Sequence, residues 1–169
     1  MQKENLEIER KYIIEMPSAL DMSRMQDYTS SEITQIYLES SPHVTHRVRK
    51  REYSDKTEYT ETKKIRVDRM SAIEEESKIS EKEFSTLSEN IRKGSRPLAK
   101  CRHTFLYSGQ IFEIDVYPEW KKSAIMETEL SSREEQVIFP SFIRVIKEVT
   151  GERAYSNSAM STAFPEEIL

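Results

Sequence analysis

The sequence predicts a mainly β protein, an antiparallel barrel or sandwich with a few helices. Three observations carry this. Period-two alternation recurs at short spacing through most of the 169 residues. Only three stretches carry helical signals. Turn-forming residues separate many of the alternating runs.

The first strand is "LEIERKYII", Leu6 to Ile14. Leu6, Ile8 and Tyr12 share one face, and Glu7, Glu9 and Lys11 share the other. A short helical stretch follows near "PSALDMSRMQDY". Strands are expected at "EITQIYL", "HVTHRVRKREY", "TEYTETKKIRV" and "SAIEEESKIS". A helix is expected at "SEKEFSTLSENIRK". Ser80 caps it with Glu83 three residues on, Phe84, Leu87 and Ile91 share a face, and Gly94 ends it. Strands resume at "LAKCRHTFLY", "QIFEIDVY" and "SAIMETEL", with "YSGQ" as a hairpin turn between the first two. "SFIRVIKEVTG" reads as a C-terminal helix, with Pro140 before it and Gly151 after. No repeat or flexible linker divides the chain, so residues 1–169 are expected to form one domain.

The composition excludes several function classes. The net charge is −4, with 33% charged residues, so the signs nearly cancel and no basic field points to nucleic acid. With 3 glycines, a glycine-rich phosphate loop is not expected, and the dinucleotide and Walker patterns are absent. Cys101 is the only cysteine, which excludes an internal disulfide and a cysteine-rich zinc site. No run of about 18 apolar residues occurs, and "MQKENLEIER" has no apolar leader core. A cytoplasmic protein without membrane or nucleic-acid partners is expected.

Charge then recurs at a period of two. Arg47, Arg49 and Arg51 share a strand face. Glu61 and Lys63 share one, as do Glu74 and Glu76, Lys100 and Arg102, Glu113 and Asp115, and Glu127 and Glu129. For any single pair a solvated sheet face is the simpler reading. Strands that are all acid or all base make better sense facing one another across an enclosed polar cavity. There, carboxylates can hold a divalent cation, and Arg and Lys can hold a polyanion. Such a barrel has a charged interior and an apolar outer wall that helices cover. About a third of the charges are expected only to pair with one another.

These residues resemble the CYTH superfamily, the triphosphate tunnel metalloenzymes, in its short bacterial form. "EIERK" is similar to the family's E-x-E-x-K signature, and "ITQIYL" to its glutamine-containing second strand. "HRVRKR" resembles its R-x-R strand, and "YTETKK" a strand ending in a buried lysine, here Lys63. "IEEESKI", "LAKCRHTF", "FEIDVY" and "METEL" follow in the family's order, and "KEVTGERAYSNSAM" resembles its C-terminal segment. The loop "PEWKKSAI" lacks the Gly-Leu that usually leads into the family's last E-x-E strand, and two positions also depart. Ala72 stands where many relatives carry an arginine, with Arg69 nearby, and Lys78 where an acid is common. The resemblance implies a closed eight-stranded antiparallel barrel, a tunnel that hydrolyses or rearranges triphosphates, and dependence on Mg2+ or Mn2+.

The expected triphosphate cradle is Lys11, Arg47, Arg49, Lys63, Lys100 and Arg102, with Arg51 at the rim. Glu7, Glu9 and Glu129 are expected to hold the metal, with Glu127 and Asp115 close by. Glu74 and Glu76 are candidates for placing the attacking water or pairing with arginines. The catalytic set is thus Glu7, Glu9, Lys11, Arg49, Lys63 and Glu129. Inorganic tripolyphosphate is the simplest substrate, for a monomer or homodimer. Alternatives are a class IV-type adenylate cyclase, a thiamine or nucleoside triphosphatase, a polyphosphate-binding module, and a barrel whose charges only pair internally. His43, His46 and His103 have no metal-ligand spacing. Trp120 either stacks on a substrate ring or packs, and Tyr155 and Asn157 either order the C-terminal segment at a tunnel mouth or pack a turn.

Overall fold

Eight of the nine strands among the described residues follow from the alternating runs, and their shared inner row makes the site. The structure is a computed structural model that describes residues 5–169. Residues 1–4, the start of the segment read for a leader, lie outside the described residues. The strands are β1 (Leu6–Glu15), β2 (Gln26–Tyr37), β3 (Val44–Glu52), β4 (Thr57–Arg66), β5 (Ser71–Lys78), β6 (Leu98–Tyr107), β7 (Gln110–Val116), β8 (Ser123–Leu130) and β9 (Val145–Glu148). The helices are α1 (Ala19–Ser23), α2 (Glu81–Ser88) and α3 (Asn157–Met160). No helix among the described residues is long and apolar enough to cross a membrane.

The sheet order is β5-β4-β3-β2-β6-β7-β8-β1-β9, all antiparallel. It closes because β1 also pairs with β5, through Leu6↔Ile73, Glu7↔Ala72 and Ile8↔Ser71. Eight strands therefore form a closed barrel and β9 is an extra strand. Ser108 and Gly109 both have positive φ, 51° and 76°, which makes the β6–β7 turn the tight kind that matches strand twist.

The expected C-terminal helix does not form. Closure by β5 occupies only the first half of one edge of β1. Residues Tyr12, Ile13 and Ile14 would leave their N–H and C=O groups unpaired there. The segment after Ile143 pairs with them as β9, through Tyr12↔Glu148, Ile13↔Lys147 and Ile14↔Val145. Satisfying that edge outweighs a weak helical spacing.

Two apolar patches of the outer wall are covered. On one side Tyr12, Ile14, Phe105, Phe112, Ile114 and Met126 pack with Met22 of α1 and Ile143. Full burial of each contributes about 1.5–3 kcal/mol. On the other side Ile36, Leu38 and Val48 pack beneath Phe84, Leu87 and Ile91. The predicted capping box of α2 is present: Ser80 Oγ accepts from the Glu83 N–H at 3.1 Å, and Glu83 Oε2 from the Ser80 N–H at 2.6 Å.

The interior is not charged throughout. The inner row of β1 runs Glu7, Glu9, Lys11, Ile13, and that of β8 runs Glu129, Glu127, Ile125. Ile13 and Ile125 belong to an apolar cluster with Leu98, Tyr117, Trp120, Val149 and Met160. The C-terminal segment thus seats an apolar floor at one end of a charged cavity.

Candidate active site

The interior cavity measures about 1220 Å³. Charged residues from seven barrel strands and the segment after β9 line it. Its basic wall comes from β3. Arg47, Arg49 and Arg51 point inward because they occupy alternate positions of a strand whose intervening Val48 packs outside. Arg49 is buried. Its Nε and Nη2 donate to Gln35 Oε1 at 3.1 and 2.8 Å. Arg51 Nε donates to Ser31 Oγ at 2.8 Å. Arg47 meets Glu74 at 3.5 Å, and its buried Nε has no hydrogen-bond partner among the described residues. Burial, then Arg47 and Arg102, pulls the Arg49 guanidinium down to about 9.

The acidic wall comes from β1, β5 and β8. Burial and Glu74 push Glu7 up to about 8. Glu127, then burial, also raises Glu9. Burial alone would raise Glu127, but Lys11 and Arg102 hold it at about 2. Lys11 and Glu127 are direct cross-strand partners, with Nζ 2.9 Å from Oε1. Lys11 Nζ also donates to the Tyr155 carbonyl at 3.3 Å. Glu76 lines the cavity and accepts from Thr62 Oγ1 at 2.9 Å.

Lys100 and Asp115 depart from expectation. Lys100 was expected to cradle phosphate and Asp115 to stand near metal. Instead, Lys100 is 1% exposed, does not line the cavity, and donates to Asp115 Oδ2 at 2.7 Å. Arg102 Nε and Nη2 donate to Asp115 Oδ1 and Oδ2 at 2.8 and 2.9 Å. Both Asp115 oxygens are therefore occupied. Burial would raise this carboxyl, but Arg102 and Lys100 hold it far below the usual range. Arg102 does reach the cavity, and its Nη1 lies 2.5 Å from Glu113.

A further expectation is corrected by strand position. Lys63 is exposed and faces outward. Its neighbours Lys64 and Arg66 line the cavity with Thr62. The signal was present: Tyr59 and Ile65 share the parity of Lys63, and the Tyr59 ring packs at a tilt against Phe84 of α2 outside the barrel. Lys64 Nζ stands 3.5 Å from Glu74 and 3.8 Å from Glu9. Glu129 lies directly across from Glu9 but is exposed at the end of β8, outside the cavity lining.

Ala72 is buried between Glu7 and Arg66 in register, so an arginine enters the cavity there from β4. Arg69 also lines it, and its Nε donates to the Thr150 carbonyl at 2.7 Å. Gly151 is required beside it: a Cβ there would fall 2.0 Å from Arg69 Cγ, and φ is +72°. Sequence reasoning also missed Arg92. It donates to Ser158 Oγ and O at 2.7 Å each and to Ser161 Oγ at 3.1 Å, pinning the C-terminal segment over the cavity. Asn157 accepts from the Tyr117 hydroxyl at 2.5 Å. Trp120 packs in the apolar floor and donates to the Pro165 carbonyl at 2.9 Å. His46 contacts Glu61 at 2.6 Å, and His103 contacts Tyr28 at 2.8 Å.

The crowded carboxylates are hard oxygen donors whose mutual repulsion a divalent cation would relieve, so their chemistry fits Mg2+ or Mn2+. Among the described residues no three of them are already drawn around one point. The arrangement can hold a polyanion along β3 and β4 while presenting carboxylates to it from β1 and β5.

No family model and no curated protein matches the chain. Solved structures do. The inorganic triphosphatase NE1496 aligns with a TM-score of 0.60 and 26% identity, over 95% of this chain and 97% of that one. Protein PH1012 from Pyrococcus horikoshii OT3 aligns with a TM-score of 0.57 and 19% identity, over 76% and 81%. PH1819 from the same organism aligns with a TM-score of 0.54 and 19% identity, over 75% and 80%; both share the fold. An end-to-end match of this kind, on a closed barrel, supports the resemblance of the chain to the CYTH, or triphosphate tunnel, superfamily.

Proposed function

We propose that the chain hydrolyses a triphosphate inside the barrel with Mg2+ or Mn2+, and that inorganic tripolyphosphate is its substrate. One observation carries this reading: Arg47, Arg49, Arg51 and Lys64 share one cavity with Glu7, Glu9, Glu74 and Glu127. A site that only bound anions would gain nothing from the carboxylates. The name of the aligned inorganic triphosphatase supports the choice of reaction.

The basic residues would bind successive phosphates, with each guanidinium offering a planar fork of donors. The same residues would stabilise the diphosphate as it leaves, in a site where water does not screen them. Glu7 and Glu9 would hold the cation, which when bound neutralises phosphoryl oxygens and lowers the pKa of water. Lys11 would keep Glu127 ionised and in place, and Thr62 would orient Glu76. The floor around Ile13 and Ile125 would stop the substrate from sliding through.

Purified protein with either metal should release phosphate from tripolyphosphate. Glu9→Gln should lower that rate by about 100-fold or more while circular dichroism still reports the fold. Cyclic AMP formed from ATP, with tripolyphosphate untouched, would replace this reading by a cyclase. Tight binding without turnover would replace it by a binding module.

A further inference from the structure

Gln35 shares the inner face of β2 with Tyr37, is fully buried, and is not among the residues that line the cavity. Its orientation is fixed by chemistry. A guanidinium has only donors, so Gln35 must turn Oε1 toward Arg49, where it accepts both the Nε and Nη2 bonds. That turns Nε2 toward Tyr37, whose hydroxyl accepts at 3.1 Å. Tyr37 lines the cavity beside Arg47. One neutral amide therefore sets the pose of Arg49 and supports the neighbour of Arg47.

A carboxylate of the same size would make the stronger contact. The protein uses one for Arg102, where Asp115 accepts two bonds and cancels the charge. At position 35 it does not. Burial and two nearby arginines already disfavour the charge on Arg49, and Gln35 offers nothing negative in return. The cation is left for something that enters the cavity.

We propose that Gln35 is a positioning residue that fixes Arg49 for an incoming phosphate without neutralising it. This rests on the triphosphatase reading. The test is titration calorimetry of wild type, Gln35→Glu and Gln35→Leu with tripolyphosphate and with pyrophosphate, each with Mg2+, alongside melting curves. If Gln35 were only structural support, Glu would be the milder change, since it keeps the contact with Arg49. Charge-free positioning reverses that order: Gln35→Glu should bind at least about tenfold more weakly than Gln35→Leu, while melting at or above the wild-type temperature. Gln35→Glu binding as tightly as wild type, or failing to fold, overturns the proposal. Wild type that binds pyrophosphate but not tripolyphosphate overturns the triphosphatase reading alone, and the Glu-against-Leu order is then scored on pyrophosphate. Wild type that binds neither overturns both.

Discussion

Arg49 and Arg102 enter the same cavity from β3 and β6, strands separated only by β2, and they are held in opposite ways. Arg102 is tied to Asp115 and Glu113, and Lys100 completes the knot from below. Arg49 rests on a neutral amide, and Arg51 on a serine hydroxyl. The β6–β7 charges answer one another within the fold. Of the inward β3 arginines, Arg47 meets Glu74 of β5 at 3.5 Å, and Arg49 and Arg51 rest on neutral groups. The difference separates charge that holds the barrel together from charge that waits for a ligand. It also explains why the two kinds look alike as i, i+2 pairs in a sequence.

Breaking the knot should have the largest effect. Asp115→Asn leaves buried Lys100 without its carboxylate and Arg102 with Glu113 alone, at a cost of about 3–5 kcal/mol. For a chain of this size the melting temperature should fall by roughly 6–20 °C, measured by circular dichroism. The pH dependence has a definite sign. The folded carboxyl of Asp115 lies below its unfolded value, so its contribution is complete above a pH of about 4 and is lost as pH falls further. The stability gap between wild type and Asp115→Asn should narrow below that pH. A variant that melts like wild type at neutral pH would mean that the knot holds nothing.

The same contrast shows what was legible beforehand. The first strand was readable throughout, because alternation alone sends Glu7, Glu9 and Lys11 to one face. The barrel followed from charge rows that no solvated sheet would need. Asp115 was assigned to the right face but the wrong partner, since alternation gives the direction of a side chain and not what meets it. The strand at Val145–Glu148 was hidden because its cause is a vacant edge on β1, more than a hundred residues away. Lys63 was chosen over Lys64 although parity argued the reverse: Tyr59 and Ile65, on the side of Lys63, are the apolar members of that strand. This yields the second prediction. Lys64→Ala should lower kcat/KM for tripolyphosphate by about 10–100-fold, as expected for a lost charge-assisted contact of about 1.5–3 kcal/mol. Lys63→Ala should stay within about twofold. The reverse order would return Lys63 to the cradle and remove Lys64 from it.

The smallest effect is a reporter on the knot itself. Cys101 lies on β6 between Lys100 and Arg102, on the opposite face of the strand. Burial, then Glu32, pushes its thiol from 9.0 up to about 12. Only the thiolate reacts, so alkylation at pH 8 should run about a thousandfold slower in the folded protein than in urea. The thiol is half-buried rather than sealed, so the slow rate would reflect its charge state as well as access. Asp115→Asn should speed labelling in the absence of denaturant, because each opening of β6 restores an ordinary thiol. Gln35→Leu, on the neighbouring strand but outside the knot, should leave it near the wild-type rate. If both variants label equally fast, the two ways of holding an arginine would not be energetically distinct, and the division between structural and ligand-ready charge in this barrel would fail.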